Sequence, residues 1–554
     1  KKQLIDLYKA CKNEEKDWVK ELGDQEEQKL RSDKLYLYYT QKGRCMYSGE
    51  VIELKDLWDN TKYDIDHIYP QSKTMDDSLN NRVLVKKKYN ATKSDKYPLN
   101  ENIRHERKGF WKSLLDGGFI SKEKYERLVR NTELTPEELA GFIERQIVET
   151  RQSTKAVAEI LKQVFPDSEI VYVKAGTVSR FRKNFDLIKV REVNDLHHAK
   201  DAYLNIVVGN SYYVKFTKNA SWFIKENPGR TYNLKKMFTS DWSIERNGEV
   251  AWKAGKKGTI VTVKHIMSQN NILVTRQVHE AKGGLFDQQI VKKGKGQIFI
   301  KASDKRLCDI NKYGGYNSAA VSYACLVKSQ DKKGNEMRTL EFIPLYLKEK
   351  MELDETEMLK YLETEKNLIE PEILLKKIKI DTLFNVDGFK MWLSGKSVNR
   401  VLFKGANQLL LNDNYMKTLE KVTKFVSRLN ENKVAGISDK EQLTDDKLLA
   451  VYDELYKKIK DTVYQKRLSA QEKTLYEGRE DFIELGKENK CIVLSEILHL
   501  FQCQSSLANL KLIKGPSGAG KLVMNNNITK CNKISIINQS PTGIFENEID
   551  LLKV

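Results

Sequence analysis

The spacing of apolar and polar positions divides the chain into stretches that favour helices and stretches that favour short strands. Residues 1–40 place Leu4, Leu7, Tyr8 and Trp18 on one helical face opposite dense charge, which predicts a linker helix. From about residue 41 to 100, strand-like runs alternate with glycine, proline and asparagine. That pattern is typical of a compact ββα unit.

A second helical stretch begins at Thr135, because Thr135 can cap a helix, Pro136 suits its first turn and Glu138 completes a capping box. Apolar residues continue at helical spacing to Val164. The apolar segment IVYVKAG at 170–176 predicts a buried strand, and a basic loop and a helix containing HHAKDAYLN follow it. Strand, loop and helix in this order predict an α/β domain.

The composition changes beyond about residue 280, where AKGGLFDQQIVKKGKGQIFIK carries five lysines against one acidic residue. This change predicts a domain boundary. Strands predicted at AAVSYACLV and LEFIPLYL flank a turn that contains glycine, and amphipathic helices are predicted at NYMKTLEKVTKFVSRL and DDKLLAVYDELYKKI. We therefore expect a mixed α/β C-terminal part.

Length, charge and cysteine usage narrow the class of protein. The 554 residues exceed what one core serves, so several domains are expected. Lysine and arginine number 96 against 77 acidic residues, and the formal charge of +19 favours nucleic acid as a partner, although a basic protein without one has the same balance. Seven cysteines without a CxxC pair indicate reduced thiols in a cytoplasmic compartment. No apolar run suits a membrane span, and the absence of an initial methionine leads us to expect a longer protein.

The first chemical constellation is YDIDHIYPQS, which places Asp66 and His67 in a strand-like run, and Asn90 follows His67 by 23 residues. Hydrolysis of a phosphodiester needs a deprotonated water and a cation that neutralises charge on the phosphoryl group. Asp66 and Asn90 can supply oxygen ligands for Mg²⁺, with Mn²⁺ as an alternative, and His67 can supply the base. An Asp-His pair alone is more often structural. Cys45 has no partner cysteines nearby, so we predict no zinc site.

The second constellation lies in REVNDLHHAKDAYLN, where His198 precedes Asp201 by three residues and shares a helical face with it. Two-metal nucleases of the ribonuclease-H type use several carboxylates, of which this motif supplies one. The spacing alone therefore leaves a structural role, an incidental metal site and a nuclease site open.

Taken together and in this order, the motifs resemble the Cas9 family of type II CRISPR RNA-guided endonucleases. DIDHIYPQS, NNRVL and the spacing to Asn90 resemble HNH nucleases, and VREVNDLHHAKDAYLN resembles the third segment of the split RuvC domain. GFIERQIVETRQSTKAVAEIL, KYGGYNSAAVSYACLV and NQSPTGIFENEIDL extend the similarity over nearly the whole chain. The implied domains are a linker helix at 1–40, an HNH domain at 41–130, a linker helix and third RuvC segment at 131–280, and a domain at 281–554 that reads the protospacer-adjacent motif (PAM).

The resemblance implies a fold class as well: multidomain α+β and α/β, with a ββα-metal HNH nuclease, part of a split RNase H-like RuvC domain and a mixed α/β C-terminal domain. It further implies RNA-guided DNA cleavage in antiviral defence in the prokaryotic cytoplasm. The implied partners are a guide RNA, as crRNA with tracrRNA or a single guide, and double-stranded target DNA with a PAM. The resemblance also implies that the HNH site cuts the guide-paired strand and the RuvC site cuts the displaced strand.

Carried over by motif, His67 is the general base of the HNH site, and Asp66 and Asn90 hold its metal. His198 and Asp201 are RuvC residues, with Asp201 as a metal ligand. Two further RuvC carboxylates belong to the N-terminal portion of such proteins, which this sequence does not include. We therefore predict an incomplete RuvC site in this chain.

The C-terminal part carries the remaining candidates. By resemblance, AKGGLFDQQ is the phosphate-holding loop, formed by Asp287, Gln288 and Gln289. The stretch GAGKLVMNNNITK lacks the arginine pair with which some members read two guanines, and asparagine side chains suit adenine. The candidate PAM-reading residues are Lys521, Asn525, Asn526 and Asn527.

GPSGAGKL at 515–522 nearly matches a nucleotide-binding P-loop, but Leu522 stands where a Ser or Thr must bind magnesium, so we predict no ATP binding. Two rival functions remain. A stand-alone HNH homing or restriction endonuclease would leave HHAKD and the C-terminal part unexplained. A non-cleaving RNA-guided DNA-binding protein would not need the HNH residues. Dependence of cleavage on a guide RNA separates the three.

Overall fold

The computed structural model describes residues 2–10, 18–24, 32–147, 152–216, 237–238, 243–246, 248–281, 290–292, 308–316, 320–432, 443–501 and 507–554. Two compact units divide the chain. The first contains Lys1–Ile188, His198–Gln269 and Ser427–Lys440, and the second contains Lys189–His197, Asn270–Val426 and Glu441–Val554. Within the described ranges, no helix is both long enough and apolar enough to cross a lipid bilayer.

The N-terminal part of the first unit is built on an antiparallel strand pair and the helix that follows it. β1 (Tyr63–His67) pairs with β2 (Arg82–Lys86), and the helix Lys87–Lys93 starts directly after β2. This order matches the predicted ββα unit, the name we keep for these three elements. The other helices of this part are Lys2–Ala10, Trp18–Asp24, Asp33–Thr40, Gln71–Thr74, Glu101–Asp116 and Lys122–Val129, with a 3₁₀ turn at Leu54–Asp56.

One apolar core joins the ββα unit to helices that precede and follow it. Trp111 is fully buried, and its indole Nε1 donates a hydrogen bond of 2.9 Å to the carbonyl of Met46. Leu4, Tyr8 and Trp18 are buried in the same core. The apolar face predicted within residues 1–40 therefore contributes these three side chains to this core.

The rest of the first unit is mainly helical. The predicted capping box is confirmed, since the Glu138 amide donates to Oγ1 of Thr135 at 3.2 Å and the Thr135 amide donates to the Glu138 carboxylate at 2.7 Å. Its elements are the helices Pro136–Ile147, Gln152–Val164, Ala175–Asn184, His197–Phe216 and Thr259–Ser268, and the hairpin of β3 (Ile244–Arg246) and β4 (Glu249–Trp252).

The buried strand predicted at 170–176 is wrong. Residues 171–174 have no regular secondary structure, and a helix starts at Ala175. Val171 and Val173 lie against Gly209, where an added Cβ would come 2.7 Å from Val173. The apolar alternation therefore serves packing against the helix His197–Phe216. A strand also needs a neighbour for its backbone hydrogen bonds, and no described strand pairs with this segment.

The second unit contains most of the strands. Those in its smaller sheets are β5 (Ile290–Val291), β6 (Gly315–Tyr316), β7 (Val321–Gln330), β8 (Glu336–Pro344) and β9 (Ile369–Lys379). The others are β10 (Leu383–Val386), β11 (Phe389–Ser394), β12 (Val401–Gly405), β13 (Val523–Met524), β14 (Ile534–Gln539) and β15 (Glu546–Asp550). In the described part, β5 pairs with β6, three strands pair in the order β8-β7-β9, and six pair in the order β13-β12-β11-β10-β14-β15.

Two sequence predictions for this region are confirmed. β7 and β8 form the expected hairpin, and Gly334 in its turn has a positive φ of 78°, which glycine adopts without strain. Both expected amphipathic helices are present, at Asp413–Asn432 and Asp445–Asp461. The other helices are Ile310–Tyr313, Lys348–Leu353, Glu355–Thr364, Gln465–Glu477, Arg479–Glu484 and Lys487–Leu500, with 3₁₀ turns at Leu345–Leu347 and Lys511–Ile513.

Candidate functional site

The ββα unit brings two acidic side chains of a strand against one face of a helix. Asp64 and Asp66 point to the same side of β1, because successive side chains of a strand alternate. Asn90 and Lys93 share a face of the helix Lys87–Lys93, since they are three residues apart. Asn90 Nδ2 donates to Asp64 Oδ2 at 2.8 Å, and Lys93 Nζ lies 3.1 Å from Asp66 Oδ2. The fold thus ties Asn90 to Asp64 and Lys93 to Asp66 on the same side of β1.

Asp66 is buried and has two strong donors on one oxygen. The Tyr47 hydroxyl donates to Asp66 Oδ2 at 2.6 Å, and the Lys93 ammonium reaches the same oxygen. Burial, and then the neighbouring Asp66 charge, raise the pKa of Tyr47 well above its ordinary value, so the phenol stays a proton donor. Since both donors use Oδ2, the second carboxylate oxygen is the one suited to another ligand.

Lys93 also contacts the next residue of the strand. Its Nζ donates to the backbone carbonyl of His67 at 2.7 Å. One ammonium therefore ties both residues of the Asp-His pair to the helix that carries Asn90.

His67 lies at the end of β1, with a carboxylate and an amide beside its ring. Its Nε2 is 2.7 Å from Asp77 Oδ1 and 2.9 Å from Gln71 Nε2. Gln71 Nε2 donates to the same Asp77 oxygen at 2.5 Å. Asp77 arrives there because the short helix Gln71–Thr74 ends at Met75, whose left-handed backbone (φ 54°) reverses the chain.

The chemistry of these donors suits a magnesium ion. Asp66 offers a carboxylate oxygen, and Asn90 offers an amide oxygen, because its nitrogen is engaged by Asp64. Magnesium keeps several waters and needs only one or two protein groups. In the described ranges, no three His, Cys, Asp or Glu side chains come together as a metal site. The candidate pair here includes an asparagine, which is outside those four residue types. Cys45 is buried and accepts a hydrogen bond from the Lys86 amide at 3.3 Å.

The second candidate pair lies on the long helix His197–Phe216, as the sequence predicted. His198 is exposed, and Asp201 is half-buried one turn further along. The Asp201 carboxylate contacts the guanidinium of Arg182 at 2.7 Å, and Arg182 is itself buried. In this arrangement, an arginine balances the charge of Asp201.

The structure separates the four candidate PAM-reading residues into two kinds. Asn526 Nδ2 donates to the Glu341 carboxylate at 3.3 Å, and Asn527 Oδ1 accepts the Thr529 amide at 2.9 Å, so both side chains bind within the protein. Lys521 and Asn525 are exposed. The phosphate-loop candidates Asp287, Gln288 and Gln289 lie outside the described residues.

The segment that resembles a P-loop has a different setting from nucleotide-binding loops. It follows the 3₁₀ turn Lys511–Ile513 and leads into β13, whereas a P-loop joins a strand to a helix. Gly515 packs closely, since an added Cβ would come 2.6 Å from Thr474 Cγ2 and 2.7 Å from Leu510 Cβ. Gly515 therefore allows close packing of the chain at the start of this segment.

Three residues at the first site were missed from the sequence: Tyr47, Asp77 and Lys93. Lys93 carried a signal, because it follows Asn90 by three residues on the predicted helix and so shares its face. Tyr47 and Asp77 carried none, since only the tertiary fold brings them to Asp66 and His67.

Comparisons with known proteins agree with these motifs. Three family models match: "HNH endonuclease" over residues 45–99, "Cas9 RuvC domain" over 151–279, and "PAM-interacting domain of CRISPR-associated endonuclease Cas9" over 282–547. The match at 45–99 contains Asp66, His67 and Asn90, and the match at 151–279 contains His198 and Asp201.

Curated relatives give the same result over longer alignments. The CRISPR-associated endonuclease Cas9 of Streptococcus mutans is 33% identical over 97% of this chain and 41% of the relative. The Cas9 of Listeria innocua is 34% identical over 71% of this chain and 31% of the relative. The chain thus spans well under half of the length of these relatives. It belongs to the Cas9 family and corresponds to the C-terminal region that carries the HNH domain, a RuvC segment and the PAM-interacting domain.

Proposed function

We propose that this chain carries the HNH site of an RNA-guided DNA endonuclease and that this site hydrolyses the guide-paired strand. The observation that carries the proposal is the ββα unit. In it, Asn90 binds Asp64, and Lys93 binds Asp66 and the backbone carbonyl of His67, the last residue of β1. The helix Lys87–Lys93 is thus bound to the strand that carries Asp66 and His67, and the helix itself carries Asn90.

Each residue has a distinct part in the proposed reaction. Asp66 and Asn90 are the residues that would hold a divalent cation, Mg²⁺ or Mn²⁺. When bound, the cation neutralises charge that develops on the phosphoryl group. His67 takes the proton from the attacking water. Lys93 fixes the Asp66 carboxylate and the His67 backbone, and the Tyr47 phenol keeps Asp66 oriented from within the core.

The RuvC part of the proposal is narrower. We propose that His198 and Asp201 belong to the site for the displaced strand and that this chain holds that site incompletely, because its motif supplies one of the several carboxylates that a two-metal site needs. The Asp201 carboxylate contacts the Arg182 guanidinium. The domain division at 1–40, 41–130, 131–280 and 281–554 is part of the same proposal. The proposed partners are a guide RNA and PAM-bearing duplex DNA, in keeping with a formal charge of +19.

A strand-specific nicking assay tests the proposal. The 554-residue chain is incubated with DNA in which one end-labelled strand is paired with RNA and the other is displaced, in the presence of Mg²⁺. We expect cleavage of the RNA-paired strand, none of the displaced strand, and none after chelation of the metal. Cutting of DNA without RNA would support the stand-alone endonuclease instead. Binding without cutting would support the non-cleaving protein, and cutting of both strands would refute the incomplete RuvC site.

A second prediction concerns the C-terminal domain. Asn525→Ala is expected to weaken discrimination at one base pair of the PAM by about 1–3 kcal/mol, because an exposed asparagine can bind a base edge. Binding of the guide-loaded protein to duplexes randomised beside the target measures this. Asn526→Ala is the control, since Asn526 binds Glu341, and it should lower the thermal stability of the protein. An unchanged base preference in Asn525→Ala would remove Asn525 from the PAM-reading set.

A further inference from the structure

We infer that Asp77 is a positioning residue of the HNH site, which holds the His67 imidazole through Nε2. The inference rests on the proposed function and deepens it. It starts from the contact of 2.7 Å between His67 Nε2 and Asp77 Oδ1. No motif of the sequence pointed to Asp77.

Two neighbours of His67 Nε2 bear on which ring nitrogen carries the proton. The Asp77 carboxylate favours a proton on Nε2, and the Gln71 amide, 2.9 Å away, is compatible with it when it donates to Asp77. An ionised carboxylate only accepts hydrogen bonds, so Asp77 Oδ1 is satisfied when His67 Nε2–H and the Gln71 amide both donate to it. The neutral imidazole then has its lone pair on Nδ1. A carboxylate in this position also stabilises the imidazolium that forms when the base takes a proton.

Asp77 is exposed, but its backbone is held on both sides. The preceding Asp76 carboxylate accepts a hydrogen bond from Arg127 Nη1 at 2.7 Å, and Asn81 Nδ2 donates to the Asp76 carbonyl at 2.9 Å. Farther along, the ammonium of Lys124 donates to the carbonyls of Leu79 at 3.1 Å and Arg82 at 2.6 Å.

The two acidic residues of the site, Asp66 and Asp77, have different surroundings. Asp66 is buried and contacts a lysine and a tyrosine, and in the proposed function it is a metal ligand. Asp77 lies at the surface beside His67, whose side chain is 18% exposed against 65% for Asp77. Adjacent residues of a strand point to opposite faces, so Asp66 and His67 need separate partners. The return of the chain after Met75 supplies the partner for His67.

The contact is tested first without catalysis. The full chain is labelled with ¹⁵N at histidine, and His67 is assigned among the seven histidines by its loss in His67→Gln. At a pH where the ring is neutral, we expect the Nε2–H tautomer in the wild type. We expect a shift towards Nδ1–H in Asp77→Asn, because the amide can turn and donate to Nε2. Asp116→Asn is the control, since Asp116 is a comparably exposed carboxylate on the helix Glu101–Asp116.

The functional arm is a double-mutant cycle in single-turnover cleavage of the RNA-paired strand. Asp77→Asn should slow cleavage roughly 10- to 100-fold, part of the roughly 10²- to 10⁴-fold that a general base contributes. Asp77→Glu, which keeps the charge, should recover part of the rate. In a His67→Ala background, Asp77→Asn should have no further effect.

The outcomes separate the inference from the proposed function. Undiminished cleavage by His67→Ala would overturn the proposed function whatever Asp77 does. If His67→Ala is inactive, a wild-type tautomer and rate in Asp77→Asn would overturn the role of Asp77. An equal loss of rate in both backgrounds would also overturn it, because Asp77 would then act through something other than His67.

Discussion

Replacement of His67 by alanine is expected to slow cleavage of the RNA-paired strand by about 10²- to 10⁴-fold, the range that a positioned general base contributes. The remaining rate comes from electrostatic stabilisation by the other groups, which the substitution leaves in place. The measurement is the single-turnover rate at saturating protein and Mg²⁺, so that the change reports the chemical step and not DNA binding.

The matched control is His105→Ala. His105 is an exposed histidine on the helix Glu101–Asp116 of the same unit, and its loss should leave the rate unchanged. The Mg²⁺ concentration that gives half-maximal rate should be similar in His67→Ala and the wild type, because His67 is not a proposed ligand. A His67→Ala rate within a few-fold of the wild type would contradict the proposed function, in which His67 is the base.

The strands and the helix of the HNH site were predictable from sequence because they lie close together in the chain and each has a regular local pattern. β1 and β2 are alternating or apolar runs, the helix follows β2 directly, and the spacing from His67 to Asn90 fits one hairpin and one helical turn. The capping box at Thr135 and the hairpin at Gly334 were predictable for the same reason. Each depends on residues that are neighbours in the chain.

The errors arose where the pattern was local but the deciding partner was distant. Residues 170–176 have the apolar alternation of a strand, yet their side chains pack against the helix that contains Gly209. Likewise, an amphipathic helix at 1–40 gave no sign that Tyr8 and Trp18 complete the core around the ββα unit. Periodicity predicts which face is buried, and the tertiary fold decides what buries it.

The candidate site shows the same division. Asp66, His67 and Asn90 were found by motif, while Tyr47 lies 19 residues before Asp66 and meets it only in the folded core. Asn526 and Asn527 matched a plausible base-reading pattern, and their hydrogen bonds within the protein became evident only in three dimensions. The sequence thus identified the candidate catalytic residues better than the residues that hold them.

Replacement of Lys93 by methionine is expected to destabilise the HNH domain by about 3–5 kcal/mol, because it leaves the Asp66 carboxylate buried without its counter-charge. The two side chains are only 6% and 7% exposed, so water cannot take the place of the ammonium. The loss is measured by hydrogen exchange in peptides that cover β1 and β2, which reports this domain separately from the rest of a chain with several domains. The control is Lys86→Met, which breaks the partly exposed Lys86–Glu50 pair and should cost about 0–1 kcal/mol.

The double variant Asp66→Asn/Lys93→Met distinguishes loss of charge pairing from loss of packing. With both charges removed, no carboxylate is left unpaired. The loss in free energy of unfolding of the double variant should therefore be smaller than the sum of the two single losses by about 1–3 kcal/mol. Mg²⁺ should restore more protection to Lys93→Met than to the wild type, because a cation at Asp66 then replaces the ammonium and binds only the folded domain. Additive losses together with no response to Mg²⁺ would show that Lys93 acts through packing alone. The Asp66 carboxylate would then have no part in metal binding.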